Sequence, residues 1–425
     1  MRRSIAYRLS PLLAATLLVP AAAAAQSAAK PQDPAKLATS PKVKAALDYA
    51  KANEAKAVQE QVELCEIPAP PFKEQVRAAE FKRRLEALGL KNVRIDSEGN
   101  VIGERPGTGP GPTVLIQGHL DTVFPEGTDV KVKKEGERLI GPGIGDDCRG
   151  LAVVLGAARA IQAAGVQTRG TLLFVGDVGE EGLGDLRGTK HLFNEELKGK
   201  IDYFISVDGT GLGLTKDGVG SNRYEVTFKG PGGHSYGAFG MPNPIHALGR
   251  AIAKISDFQV PKQPKVTFNV GVISGGTSVN SIPFEGKMLV DMRSPDAQAL
   301  AEIDAKFKKA IQDALAEENA RWDSPVKLTV EVKPVGVRPA GQQPADAPIV
   351  VTGLAAAKVL GFTPHVGASS TDANVPISLG LPGVTMDGGG KGSGAHSLGE
   401  WFEPTDSHLG TQWAILYVLS LAGVK

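Results

Sequence analysis

The chain has 425 residues, of which 42% are hydrophobic and 22% charged, and its 47 basic and 46 acidic side chains leave a formal net charge of +1. A chain this long buries a sizeable core and divides into more than one domain. So even a charge balance gives no electrostatic reason for a nucleic-acid partner or an anionic membrane surface, and neither is expected.

The N-terminus reads as an address. "MRRSIAYRL" is basic, "LLAATLLV" apolar and "AAAAAQ" small, the order of a secretory signal covering residues 1–25 and cleaved near Ala25. That apolar run is too short to span a bilayer, so no stable membrane insertion is expected and the mature protein is placed in a periplasm or outside the cell. Residues 26–40, "QSAAKPQDPAKLATS", read as a flexible tether. Two cysteines, Cys65 and Cys148, are too few for a disulfide scaffold, and the sequence leaves open whether they pair.

Helical periodicity runs through "PKVKAALDYAKANEAKAVQEQVELCEI" and begins again after the proline stop in "PAPPFKEQVRAAEFKRRLEALGL". Strand-like "TVLIQG" (113–118), a helix at 149–165, "TLLFVG" (171–176) and "DYFISVD" (202–208) then alternate, which predicts an α/β sheet with its chemistry in loops after strand ends. The texture changes near Gly218. Strand 223–230, helix 244–258, strands 265–274 and 286–293, helix 296–318 and strand 326–332 follow in the order βαββαβ, a split ferredoxin-like unit. Alternation resumes afterwards. The economical division is a catalytic-type α/β domain (41–218 and 335–425) interrupted by an α+β insert at 219–334.

Several short motifs sit at predicted strand ends. In "LIQGHLDTVFP", His119 and Asp121 share a face of extended chain, so the carboxylate is expected to orient the imidazole by accepting its second N–H. Taken alone, H-x-D also describes a surface histidine beside an acid. "GPGIGDDCRG" presents Asp146 and Asp147 from a tight glycine loop before a helix, where an Asx cap is the simpler use. "GEEG" holds Glu180 and Glu181 side by side; like charges tolerate this if one neutralises a cation while the other handles a proton. Asp208 in "SVDGTG" and His396 in "GSGAHSLGEWF" complete a set of five O and N donors, all in loops, which fits a dinuclear zinc site better than five unrelated turns.

Taken in order, "GHLDTVFP", "GPGIGDD", "GEEG", "VDG" and "AHSLGE" resemble the co-catalytic dinuclear zinc exopeptidases and amidohydrolases, a family that includes peptidase T, glutamate carboxypeptidase, acetylornithine deacetylase and carnosinase-like dipeptidases. The resemblance runs from about "EIPAPPFKE" to the C-terminus. It implies an α/β zinc-peptidase domain with a mixed central sheet and a ferredoxin-like lid that forms a homodimer. It further implies that His119, Asp146 and Asp208 hold one zinc and Asp146, Glu181 and His396 the other, with Asp146 bridging. Asp147 follows Asp146 across what is often a cis peptide in relatives. Glu180 becomes the general base, Asp121 the partner of His119, and His234 in "KGPGGHSYG" an oxyanion stabiliser reaching across the dimer. Asn280 and Arg293, in "TSVNSIP" and "DMRSPD", become donors for a substrate carboxylate. Two zinc ions per subunit, about 3.5–4 Å apart, would activate a shared water. Cobalt or manganese are possible substitutes, since mixed O and N donors do not fix the metal. Thr371 and Asp372 in "ASSTDANVP" have no assigned role, and His191, His246, His365 and His408 read as structural or surface residues. The expected activity is exopeptidase hydrolysis of short peptides. N-acyl-amino-acid deacylation is the alternative within enzymes, and a non-catalytic peptide- or metal-binding protein is the alternative outside them.

Overall fold

The structure, a computed structural model, describes residues 30–425; the predicted signal segment and its cleavage point lie outside them. The predicted tether does not stay free where it is described. Pro34–Ala38 forms a short helix, α1, capped by the Asp33 side chain, with Pro34 and Leu37 buried. Gln32 ties the segment to the C-terminal end: its N–H donates to Ser420 O at 2.8 Å, and its side-chain oxygen accepts from Val424 N at 2.7 Å. Composition pointed to a loop, but proline at the first helical position and one well-placed leucine suffice to dock it.

Helices α2 (Pro41–Ala52), α3 (Glu54–Cys65) and α4 (Gln75–Ala87) lead into the large sheet. Its strands are β1 (Lys91–Ile95), β2 (Val101–Arg105), β3 (Val114–His119), β4 (Leu172–Asp177), β5 (Tyr203–Val207), β6 (Gly213–Gly218), β11 (His365–Ser369) and β12 (Gly383–Met386), arranged β1-β2-β4-β3-β5-β12-β6-β11. β4, β3, β5 and β12 run parallel to one another, as do β6 and β11, whereas the β1–β2, β2–β4 and β12–β6 pairs are antiparallel, so the sheet is mixed as predicted. Every residue of β3 and β4 is buried, as expected of strands covered on both faces. Helices α5 (Cys148–Ala163), α8 (Pro348–Val359) and α9 (His408–Ala422) cover this core, which includes Ile116, Val154, Ile205, Trp413 and Leu416. Burying each such side chain contributes roughly 1.5–3 kcal/mol.

The insert forms its own sheet from β7 (Gly220–Lys229), β8 (Thr267–Gly275), β9 (Glu285–Ser294) and β10 (Thr329–Arg338), in the order β8-β9-β7-β10 and antiparallel throughout. With helices α6 (Pro244–Ser256) and α7 (Ala297–Arg321) this is the predicted βαββαβ order. Alternate residues Tyr224, Val226, Phe228 and Met288, Val290, Met292 turn toward the two helices. The helices answer at three- and four-residue spacing, with Leu300, Ile303, Phe307 and Ile311 buried. Asn243 and Asp296 cap them, accepting from Ile245 N and Ala299 N. No helix among the described residues is long and apolar enough to cross a membrane.

Candidate metal centre

Because β4, β3 and β5 lie side by side and parallel, the loops that leave their C-terminal ends meet. His119 is the last residue of β3, Glu180 and Glu181 follow β4 by a short turn, and Asp208 follows β5. Asp146 arrives from the other side, at the start of α5. That helix approaches β3 so closely that a Cβ at Gly118 would lie 2.8 Å from Asp147 Oδ2. His396 comes last, from a hairpin between short strands Lys391–Ser393 and Trp401–Glu403 that pairs with Arg138–Ile140. Its φ of +65° puts the residue in the left-handed region, uncommon for a side chain other than glycine.

Asp146 sits between two imidazoles. Its Oδ1 lies 3.0 Å from His119 Nε2, and its Oδ2 3.1 Å from His396 Nε2. The same His396 nitrogen is 2.9 Å from Glu181 Oε1. Donor atoms of His119, Asp146 and Glu181 all fall within 4.8 Å of one another, a spacing suited to a shared ion. Asp208 lines the same cavity, about 790 Å³ in volume, together with Glu180, Arg223, Asp291, Arg293, Arg338 and Thr371.

The electrostatics demand positive charge here. Hydrogen bonding to Asp146 and then Glu181 raises His396 to about 10. Burial works to lower His119, but the Asp121 and Asp146 carboxylates outweigh it and hold the imidazole well above its usual range. Burial, with repulsion from Asp146 and Asp147, pushes Asp208 well up. Protons or cations must neutralise this many acids in one place, and divalent ions on N and O donors do so without protonating the ligands. The donor set therefore fits the group that the sequence implies.

The two acidic doublets divide their labour differently. Asp147, joined to Asp146 by a cis peptide bond, accepts from His119 N at 3.0 Å and from Gly150 N at 2.9 Å, so it is the helix cap while Asp146 faces the cavity. Asp121 departs from expectation. His119 Nδ1 lies 3.0 Å from the Asp121 backbone carbonyl and 3.6 Å from its carboxylate. That carboxylate instead accepts the N–H groups of Glu180 at 3.1 Å and Glu181 at 2.9 Å. Two backbone donors in fixed positions outcompete one imidazole edge. Burial pushes Glu180 up to about 8, against the pull of Arg338 and with the push of Glu181.

Of the insert's candidates, Arg293 lines the cavity and is anchored by Asp291 at 2.8 Å. His234 and Asn280 do not line it. His234 is exposed and pairs with Ser281 in the two-stranded ribbon Gly233–His234 with Ser281–Ile282, and Asn280, exposed just before that ribbon's second strand, accepts from Ser235 N at 2.9 Å. Sequence reasoning missed three charged residues of the cavity wall: Arg223, Asp291 and Arg338. Arg223 and Asp291 sit opposite each other on β7 and β9, a pairing visible only once the register is known. Cys65 and Cys148 form a disulfide that joins the end of α3 to the start of α5, with Cα atoms 5.5 Å apart.

A family model for peptidase family M20/M25/M40 matches residues 115–420. The chain belongs to this family. Carboxypeptidase G2 of Pseudomonas sp. (strain RS-16) is 27% identical over 327 residues, covering 71% of this chain and 75% of that protein. Acetylornithine deacetylase of Myxococcus xanthus is 26% identical over 366 residues, 81% of this chain and 92% of its own. Among solved structures, aminopeptidase PepT from Bacillus cereus aligns with a TM-score of 0.71 at 23% identity, over 87% of this chain and 99% of its own. Human carnosine dipeptidase 1 aligns with a TM-score of 0.66 at 15% identity, over 89% and 99%. At those identities the structural likeness speaks to fold alone. As a member of the M20/M25/M40 peptidases the chain is a metal-dependent hydrolase, and its mixed sheet with an interrupting α+β unit is the architecture that the sequence predicted.

Proposed function

We propose that the protein is a dizinc exopeptidase that cleaves the amide bond of short peptides carrying a free terminal carboxylate. The observation that carries this reading is Asp146 held between His119 and His396, with Glu181 on one imidazole and Glu180 beside it unspent on that pair. His119, Asp146 and Asp208 would hold one cation and Asp146, Glu181 and His396 the other. Bound there, the cations would polarise the scissile carbonyl and acidify water. Glu180 takes the proton of the attacking water and delivers it to the leaving amine as the C–N bond breaks, giving a carboxylate and a free amine. Arg293, set by Asp291, lines the cavity with a guanidinium, a group shaped to pair with a carboxylate.

N-acyl-amino-acid deacylation is the second reading, supported by the likeness to acetylornithine deacetylase, and it uses the same attack on an amide. A zinc-loaded screen of dipeptides, tripeptides and N-acetylated or N-succinylated amino acids, each with free and blocked termini, separates the two. Cleavage confined to acylated amino acids replaces the first reading with the second. No amide cleavage by zinc-, cobalt- or manganese-loaded protein overturns both.

The dimer and the location belong to the same proposal. The β8 edge of the insert sheet exposes Val272 and Ile273, and His234, exposed and outside the cavity lining, would act on a cavity only from a partner subunit. The disulfide between Cys65 and Cys148 agrees with the signal-like residues 1–25 in favouring an oxidising compartment, a periplasm or the exterior. Mass spectrometry of the protein from fractionated cells tests this: an intact N-terminus in the cytosol contradicts it.

A further inference from the structure

Glu400 is 2% exposed and is the acceptor for three backbone N–H groups of the loop that presents Asp146. Its Oε2 takes Gly143 N at 2.8 Å, and its Oε1 takes Gly145 N at 2.7 Å and Asp146 N at 2.8 Å. Gly141 N donates to its backbone carbonyl at 2.9 Å, so side chain and main chain grip the same loop. No cation among the described residues pairs with this carboxylate; the amides alone hold it, in the manner of an anion nest. Gly145 makes room, since a Cβ there would lie 3.1 Å from Glu400 Oε1 and 3.0 Å from Thr210 Cγ2. Glu400 also belongs to the hairpin that carries His396, four residues earlier, and its N–H closes that hairpin's turn on Ser397 O at 3.2 Å.

We propose that Glu400 is a positioning residue that locks the Asp146 loop to the His396 hairpin and thereby sets zinc affinity at the Asp146–Glu181–His396 position, a role that rests on the dizinc reading above. Asp146 and His396 are remote in sequence yet reach 3.1 Å in space, and the three amide contacts tie their loops next to the ligands, beyond the strand pairing that joins the two segments farther back. Orienting partners behind metal ligands typically change affinity about 10–100-fold when removed.

Glu400→Gln is the discriminating variant. Its amide replaces one acceptor oxygen with a donor, which must face either Gly143 N–H or the Gly145 and Asp146 pair. Zinc binding is read by competition with a chromogenic chelator, alongside far-UV circular dichroism and melting of the metal-free protein. The expected result is zinc binding weakened at least about 10-fold at the equivalent that His396 shares with Asp146, a smaller loss at the other because Asp146 serves both, helical signal unchanged, and turnover partly restored by excess free zinc. Gly145→Ala, which pushes on the same carboxylate from the loop side, should reproduce the pattern if Glu400→Gln folds poorly. Glu403→Gln, on the same hairpin but bonded to Thr405 and Lys391, should bind both ions normally. Two tight zinc equivalents in both Glu400→Gln and Gly145→Ala overturn the role of Glu400 alone. Wild-type protein that takes up no zinc overturns the dizinc reading with it.

Discussion

Arg338 donates from Nη1 to Oε1 of Glu180 at 2.9 Å, and both side chains are almost wholly buried. Its other terminal nitrogen donates to the Glu180 carbonyl, and Nη1 reaches Ser370 Oγ at 3.2 Å. Arg338 ends β10, so the last strand of the insert delivers a cation to the carboxylate proposed as the general base. Removing it leaves a carboxylate in a poorly hydrated place. Arg338→Met is therefore expected to lower unfolding free energy by about 3–5 kcal/mol in urea titration. Adding Glu180→Gln to that variant should restore part of the loss, since the stranded charge disappears. Strict additivity of the two substitutions would show that the ion pair is not coupled.

Glu180→Gln on its own separates proton handling from metal holding. The proposed ligand oxygens belong to other residues, so zinc content should stay at wild type while kcat falls about 10²–10⁴-fold, the usual worth of a positioned base. Steady-state kinetics with a chelator assay on the same sample reads both. Unchanged kcat would remove Glu180 from the mechanism.

Much of this site is legible in the amino-acid sequence, and which parts are legible has a physical cause. His119 ends one fully buried strand, Asp208 directly follows another, and Glu181 comes a short turn after a third, because a strand buried on both faces meets solvent only at its end. The insert is legible because one face of its sheet packs on helices, which imposes alternation on β7 and β9. Arg338 and Glu400 are not. Their partners lie 158 and 254 residues away, and nothing local distinguishes "VRPAG" from a turn or "LGEWF" from a strand start. The H-x-D spacing points the Asp121 carboxylate to the wrong donor for a related reason: the N–H groups it binds belong to a loop whose path the spacing does not give.

Asp387 makes stability depend on pH. Burial raises its carboxyl to about 6 from 3.8, although the Gly213 N–H and the neighbouring His365 pull it down. The folded chain thus keeps a proton that the unfolded chain releases between those values. Its contribution is favourable below 3.8 and is lost as pH rises through 6. Asp387→Asn keeps an acceptor for Gly213 N–H and carries no charge. It should stabilise the protein at about pH 8 by about 1–3 kcal/mol and leave it nearly unchanged at about pH 4. An equal effect at both pH values would rule out ionisation as the cause.

The disulfide closes a loop with a sequence separation of 83 and anchors α5, whose first residue is Cys148. Opening a bridge of this kind typically costs about 2–4 kcal/mol through the freedom it returns to the unfolded chain. Melting of the protein with and without a phosphine reductant, at fixed zinc concentration, should show a lower Tm in the reduced sample. A Cys65→Ser, Cys148→Ser double variant should match the reduced wild type and ignore the reductant. No difference between the two wild-type samples would mean that the thiols are not paired in solution.

The β8 edge decides the last prediction. β8 pairs with β9 on one side only, and Val272 (51% exposed) and Ile273 (64%) turn apolar surface outward beside a register shift between Val270 and Val272. An unpaired apolar edge recruits another strand, and proteins that must stay apart guard such edges with charge. Val279 and Phe284 are also exposed on the same unit. The expected solution species is a dimer by sedimentation equilibrium. Val272→Lys with Ile273→Asp should raise its dissociation constant at least about 10-fold while leaving circular dichroism intact. If His234 acts across the dimer, kcat falls in step with the dimer fraction and recovers at high protein concentration. A wild-type monomer with full turnover contradicts both the interface and the crossing histidine, and a dissociated variant with wild-type kcat contradicts the histidine alone.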